Sequence, residues 1–333
     1  MLFEPLNSPT LSLKNRLCMP PMCTYRAVDG LVNFFHKAHY GTVIEYGMGM
    51  VILEATSIHP DGRISPDDLG IWHDDHIEGL SEITAYAKEY NCRIGIQLAH
   101  AGMRTHKSLV HVGPTDTAYP GYEPCHALTI AEIQGLVHDF QEAARRAQAA
   151  GFDTIEIHAA HGYLVHSFLS PVTNTRTDEY GGNQAHRNRF LIEIIKACQA
   201  VFTGAIGVRF SADDYVEQGN RIDDYVAIAK VVESLGVAYI DVSSGGVAPV
   251  TIDVGPGFQV PLSAAMKQEL SIPVFAVGRI TTAPQAEDIL QAGFADVIQV
   301  GKELLRDPGL ARRWAKELGV TLELKSPLNY PSL

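Results

Sequence analysis

The sequence predicts a single closed (β/α)8 TIM barrel, and three observations carry that expectation. Eight short apolar runs recur along the chain, amphipathic stretches separate the later ones, and a chemically distinctive residue stands at or just beyond the C-terminal end of each run. The runs are 16–19, 50–55, 93–98, 154–158, 206–210, 239–243, 273–277 and 297–300, and their lengths suit strands buried on both faces. Stretches 132–150, 189–202, 223–235 and 283–292 have helical periodicity, and Gly151, Gly236 and Gly293 stand where helices stop. The alternative is a doubly wound open sheet, which gathers ligand residues at one switch point. Here Cys23, Ala55, Gln97, His158, Arg209, Ser243, Gly278 and Gly301 follow eight different strands, and only closure brings all eight to one mouth. No linker or short-period repeat divides residues 1–333, so one domain is expected.

The composition narrows the function. With 333 residues, 46% hydrophobic and 19% charged, the chain can bury a large core. A formal net charge of −12 speaks against nucleic-acid and anionic-membrane partners, leaving small molecules. Five cysteines, at 18, 23, 92, 125 and 198, with no Cys-x-x-Cys spacing, argue against a disulfide framework; Cys92 and Cys198 read as packing and Cys125 is unassigned. Met1-Leu2-Phe3-Glu4-Pro5 lacks the basic start of a signal peptide, and no apolar run reaches the ~18 residues of a membrane span, so a cytoplasmic protein is expected.

Chemistry concentrates in His158-Ala159-Ala160-His161-Gly162-Tyr163, where a β-branched strand opens into a turn. Both histidines can donate to one ligand oxygen, and a phenol of ordinary pKa near ~10 stays protonated at neutral pH. Two donors and an acid suit an electron-poor carbonyl or nitro compound. A core histidine with a capping tyrosine is the plainer reading, and zinc is the other rival, although neither a His-Glu-x-x-His helix nor a Cys-x-x-Cys pair accompanies the turn; no metal is expected. Val277-Gly278-Arg279 and Val300-Gly301-Lys302 end the last two strands, where barrels commonly bind phosphate. Gln97 and Arg209 place an amide and a guanidinium in apolar strands, and both need partners. A flat, acceptor-rich heteroaromatic ring with a terminal phosphate meets these demands, so flavin mononucleotide fits better than a dinucleotide, for which no Gly-x-Gly-x-x-Gly loop is present.

With these residues assembled, the chain resembles the old yellow enzyme family of FMN-dependent ene-reductases, in particular the short bacterial branch with a cysteine after the first strand. The likeness runs nearly end to end. It is carried by Pro20-Pro21-Met22-Cys23-Thr24-Tyr25, by Gly95-Ile96-Gln97-Leu98-Ala99-His100-Ala101-Gly102, by the His158 to Leu164 turn, by Arg176-Thr177-Asp178-Glu179-Tyr180-Gly181-Gly182, and by Gly301-Lys302-Glu303-Leu304-Leu305-Arg306-Asp307-Pro308. The resemblance implies that Pro20, Pro21, Met22, Cys23, Ala55, Gln97, Arg209, Gly278, Arg279, Gly301 and Lys302 contact FMN, with Cys23 beside the ring tuning its redox behaviour. It implies further that NADPH or NADH passes hydride to the flavin N5 and leaves, in ping-pong fashion. An α,β-unsaturated carbonyl compound, or a nitro compound, then takes its place. His158 and His161 would hold the carbonyl oxygen, Tyr163 would supply the proton, and Tyr25 would line the substrate pocket. Lys302 stands where the family has arginine, Pro20 where the branch often has a small hydroxyl residue, and the C-terminal stretch 326–333 lacks the arginine that relatives extend into a neighbouring subunit's site. A homo-oligomer is expected. Two further readings are a flavin-dependent RNA uridine reductase, and a flavin- or phenol-binding module without turnover. Arg104 is read either as a contact to the nicotinamide phosphate or as a solvated side chain.

Overall fold

A computed structural model describes residues 1–116 and 123–325. Residues 117–122 and the C-terminal stretch 326–333, which is the arginine-free segment, lie outside the described residues. Eight strands, β1 (Leu17–Met19), β2 (Met50–Ser57), β3 (Arg93–Ala99), β4 (Thr154–Ala159), β5 (Ala205–Ser211), β6 (Tyr239–Ser243), β7 (Val274–Ala276) and β8 (Val297–Gln299), close into one barrel. Every neighbouring pair is parallel, including β8 with β1, where Ile298 is in register with Leu17. The eight predicted runs are therefore the eight barrel strands, in sequence order around the ring.

A helix follows each strand: α1 (Phe34–Glu45), α2 (His76–Glu89), α3 (Ile130–Ala150), α4 (Arg189–Gln199), α5 (Ile222–Ser234), α6 (Val260–Glu269), α7 (Ala283–Gln291) and α8 (Leu310–Glu317). Helix α3 shows the local logic. Thr129 and Glu132 form a reciprocal capping box, and Gly151, at φ 84°, turns left-handed to accept the chain at its end. Sequence periodicity revealed α3, α4, α5 and α7 but not α1, α2, α6 or α8. In α1 and α2 the inward face carries His36, Tyr40, His76 and Thr84 among its apolar residues, so polar atoms disguise the stripe.

The barrel bottom is stoppered by the antiparallel ribbon Leu6–Asn7 and Ser12–Leu13. Leu6, Leu11 and Leu13 pack onto Cys18, Met50, Ile52, Tyr239, Phe275 and Val297, and the Tyr239 and Phe275 rings stack at 4.5 Å. Gly207 makes room for that plug, since a Cβ there would lie 2.1 Å from the Tyr239 ring. An apolar lower barrel with Gln97, Glu156, Arg209, Asp241 and Gln299 buried above it leaves the C-terminal rim for ligands. Among the described residues, no helix is long and apolar enough to cross a membrane.

Candidate active site

The turn after β4 is held in an uncommon conformation. His161 and Gly162 both have positive φ, 59° and 74°, and a Cβ on Gly162 would sit 2.2 Å from the Gly246 carbonyl oxygen. That approach lets the loop after β6 brace the turn. The His161 N–H donates to Ser211 Oγ at 2.9 Å, and Ser211 donates onward to the Gly245 carbonyl at 2.6 Å. Arg104 donates to the His161 and Gly246 carbonyls and stacks over Tyr163, with its guanidinium 5.5 Å from the ring centroid. Arg104 is thus not simply solvated: it clamps the turn.

The clamp brings the three predicted side chains together. The His158 ring lies 5.1 Å from His161 and 4.9 Å from Tyr163, both edge-on. His158 Nδ1 accepts the Ala160 N–H at 3.3 Å, which assigns the proton to Nε2, and that nitrogen faces His161 Nδ1 across 3.4 Å. His161 Nε2 is taken by Ser243 Oγ at 2.7 Å. Burial, followed by the Arg209 charge, pushes both imidazoles well below the usual histidine value, so both are neutral. Burial and the neighbouring Cys23 raise the Tyr163 phenol, keeping it protonated.

A bulge in β2 positions the Cys23 loop. Pairing with β3 skips from Leu53 to Ala55, so Glu54 is the extra residue and turns out of the ladder. Its carboxylate accepts from the Thr24 N–H and Thr24 Oγ1, each at 2.8 Å, and from the Tyr40 hydroxyl at 3.0 Å. Thr24 so pinned leaves Cys23 and Tyr25 on either side, Tyr25 at φ 53°. Burial, then the charges of Asp68 and Glu54, pushes the Cys23 thiol up to about 12. Sequence reasoning missed Glu54, Glu156 and Asp241; the available signal was a carboxylate inside an otherwise apolar strand.

Beside this cluster opens a cavity of about 790 Å³, lined by Pro20, Pro21, Met22, Arg209, Ser243, Gly278, Arg279, Gln299, Gly301 and Lys302. Eight of the predicted cofactor residues meet there. Cys23, Ala55 and Gln97 lie off this lining, and Gln97 donates from Nε2 to Glu156 at 2.8 Å. The lining fits FMN on two counts. Gln299 Oε1 is buried without a hydrogen-bond partner, and Arg209 Nε is buried with only an ion-pair contact to Asp241 Oδ2 at 3.4 Å, an acceptor and a guanidinium within reach of a polar ring edge. At the other end Gly278 and Gly301 open the backbone beside Arg279 and Lys302, a charged seat for phosphate.

A barrel whose mouth can accept FMN, with paired imidazoles beside a phenol, is the arrangement of a flavin-dependent oxidoreductase. The chain belongs to the NADH:flavin oxidoreductase / NADH oxidase family, whose pattern matches residues 1–320. It is 47% identical over 333 residues to an NADPH dehydrogenase of Geobacillus thermodenitrificans, covering 99% of this chain and 97% of that one. It is 45% identical to an NADPH dehydrogenase of Bacillus subtilis over 332 residues, with 99% and 98% covered. Among solved structures it is similar to the old yellow enzyme homologue of Zymomonas mobilis, at TM-score 0.83, 28% identity and coverage of 100% and 99%. Morphinone reductase in complex with tetrahydroNAD matches at TM-score 0.83 and 28% identity, covering 98% and 93%. The protein is an FMN-dependent oxidoreductase that uses a nicotinamide as reductant.

Proposed function

We propose that this enzyme reduces the activated C=C bond of α,β-unsaturated carbonyl compounds, with nitro compounds as a second acceptor class. The observation that carries the reading is the facing pair of imidazole nitrogens, His158 Nε2 and His161 Nδ1, 3.4 Å apart with the Tyr163 ring alongside. When the Ser243 hydroxyl turns from Gln259 Oε1, 3.4 Å away, to donate to His161 Nε2, both facing nitrogens carry protons and bracket one oxygen. Negative charge grows on a carbonyl oxygen as the β-carbon is reduced, so those donors favour the transition state over the ground state. Tyr163 then delivers the α-carbon proton from a phenol that burial keeps loaded. Cys23, a protonated thiol, and Tyr25 both act on the Tyr163 phenol electrostatically, and we assign Cys23 to tuning the cofactor and Tyr25 to lining the substrate pocket. Bound FMN supplies the two-electron relay between nicotinamide and substrate. Arg209 and Gln97 would meet its ring, Pro20, Pro21, Met22 and Ala55 would pack it, and Gly278, Arg279, Gly301 and Lys302 would hold its phosphate.

Rapid mixing separates these roles. Tyr163→Phe should slow reoxidation by an enone about 100-fold while leaving reduction by NADPH within a factor of two or so. His158→Ala should weaken binding of a phenol probe about tenfold or more. If both variants turn over an enone as fast as the parent, the assignments fail. A parent protein that binds phenols yet is not reoxidised by cyclohexenone would instead be a binding module.

A further inference from the structure

Behind the carbonyl-binding turn lies a buried polar cluster that the reaction itself does not touch. The short helix Leu164–Leu169 begins directly after Tyr163 and is buried at every position, so its histidine, His166, sits among apolar side chains with no exposure to water. Such a ring needs a partner at each nitrogen. His166 Nδ1 accepts the Gly162 N–H at 2.8 Å, the peptide that joins Gly162 to His161. Nε2 lies 2.9 Å from Asp214 Oδ1 and 2.7 Å from the Tyr225 hydroxyl, which itself donates to Asp214 Oδ1 at 3.0 Å. Asp214 Oδ2 accepts from Ser170 Oγ at 2.7 Å and from the Asn220 N–H at 2.8 Å. His166, Ser170, Asp214 and Tyr225 are all fully buried.

These contacts assign the protons. A nitrogen that accepts a peptide N–H carries no hydrogen, so the His166 ring holds its proton on Nε2 and gives it to Asp214. Burial would raise the Asp214 carboxyl, yet the hydrogen bond from His166 leads the contacts that hold it below its usual value. A hydroxyl, an imidazole and a carboxylate in contact have the makings of a hydrolytic triad, but Nδ1 faces a peptide N–H and no member lines the ligand cavity. The cluster works on the backbone. His161 is a left-handed residue with a side chain, a conformation that persists only where its surroundings over-determine it. Two consecutive N–H groups of the turn are captured by side chains beyond it, that of His161 by Ser211 and that of Gly162 by His166.

We infer that His166 and Asp214, with Tyr225, are positioning residues: Asp214 locks His166 in its Nε2–H form, and Nδ1 then holds the Gly162 N–H so that His161 and Tyr163 stay aimed at one ligand oxygen. The inference rests on His158, His161 and Tyr163 being the carbonyl-binding groups.

Asparagine and glutamine divide the imidazole's two tasks. The asparagine oxygen is bonded to Cγ, as Nδ1 is, so His166→Asn keeps an acceptor for Gly162; the glutamine amide nitrogen lies one atom further, as Nε2 does, so His166→Gln keeps only the donor for Asp214. In the FMN-loaded protein, His166→Gln should bind phenol about tenfold or more weaker, and His166→Asn should restore the affinity to within about threefold of the parent. FMN affinity should stay within about threefold in both. Hydrogen exchange at the Gly162 amide is a readout that needs no ligand: it should quicken about tenfold or more in His166→Gln and not in His166→Asn. Tyr225→Phe removes one hydroxyl and keeps the ring in the core, so it decides where His166→Gln does not fold; phenol should bind about threefold or more weaker. A His166→Asn protein that fails to fold or binds phenol as weakly as His166→Gln, equal Gly162 exchange in the two, or parental phenol affinity in Tyr225→Phe would each overturn the assignment. Parental phenol affinity in His158→Ala would defeat the carbonyl-site reading, with the Gly162 exchange left to judge His166.

Discussion

Burial leaves the imidazoles, the phenol and the thiol around the mouth uncharged. His158 and His161 are neutral donors, Tyr163 a loaded acid, and Cys23 a thiol rather than a thiolate, each chiefly through desolvation, to which the Arg209 charge adds at the histidines and the Asp68 and Glu54 charges at Cys23. His100, in the same rim, is driven down to about 3 by burial and then by His59, and its Nδ1 accepts the Gly102 N–H at 3.0 Å. An unfolded histidine takes its proton near pH ~6.5, so His100 contributes stability that is complete above that pH and lost as pH falls towards 3. His100→Gln should be less stable than the parent at neutral pH, and the gap should narrow by up to about 1.4 kcal/mol per pH unit below pH 6.5. Thermal or urea denaturation across pH checks this; a constant gap refutes it. At this scale the sequence was legible where residue types are rare in strands. Gln97 and Arg209 stood out, and Cys92 and Cys198, read as packing, are buried. The carboxyls Glu54, Glu156 and Asp241 carried the same signal and were passed over, because a lone carboxylate in an apolar run names no partner.

Turns and irregularities, not the regular strands, aim the functional groups. The β2 bulge directs Glu54 to Thr24, and the left-handed pair His161 and Gly162 lets the β4 turn touch the loop after β6. Gly162→Ala adds a Cβ to a backbone at φ 74° and drives it to 2.2 Å from the Gly246 oxygen. The expected cost is about 2 kcal/mol or more in stability, with a loss of phenol binding because His161 moves with the turn. Arg104→Gln, which removes the clamp on two carbonyls, should weaken phenol binding severalfold while sparing FMN affinity. Equilibrium unfolding and ligand titration read both variants; a Gly162→Ala protein with parental stability would show that the two loops adjust freely. The glycine and both histidines were visible in the chain, but Arg104 lies 57 residues from His161, and nothing in either segment announces the contact.

Closure of the barrel is what turns eight separate strand ends into one rim, and the outer surface carries its own signal. Val28, Leu31, Phe34 and Phe35 are exposed in one short stretch after the Cys23 loop, with Phe34 84% accessible. That apolar surface supports the proposed homo-oligomer. Sedimentation should find a species larger than 36.3 kDa, and Phe34→Glu should shift it towards the single chain; a parent that sediments as a single chain would refute the assembly. From sequence alone came the strand number, the single barrel, the position of the phosphate-type loops and the histidine turn, because strand periodicity, glycine at turns and the chemistry of a motif are local properties. The tertiary structure alone decided that Gln97 answers to Glu156, that Arg209 shares Asp241 with Gln299, that Glu54 leaves the ladder for Thr24, and that Arg104 clamps His161. These partners come from different strands and loops, and only the register of a closed sheet sets them within hydrogen-bonding reach.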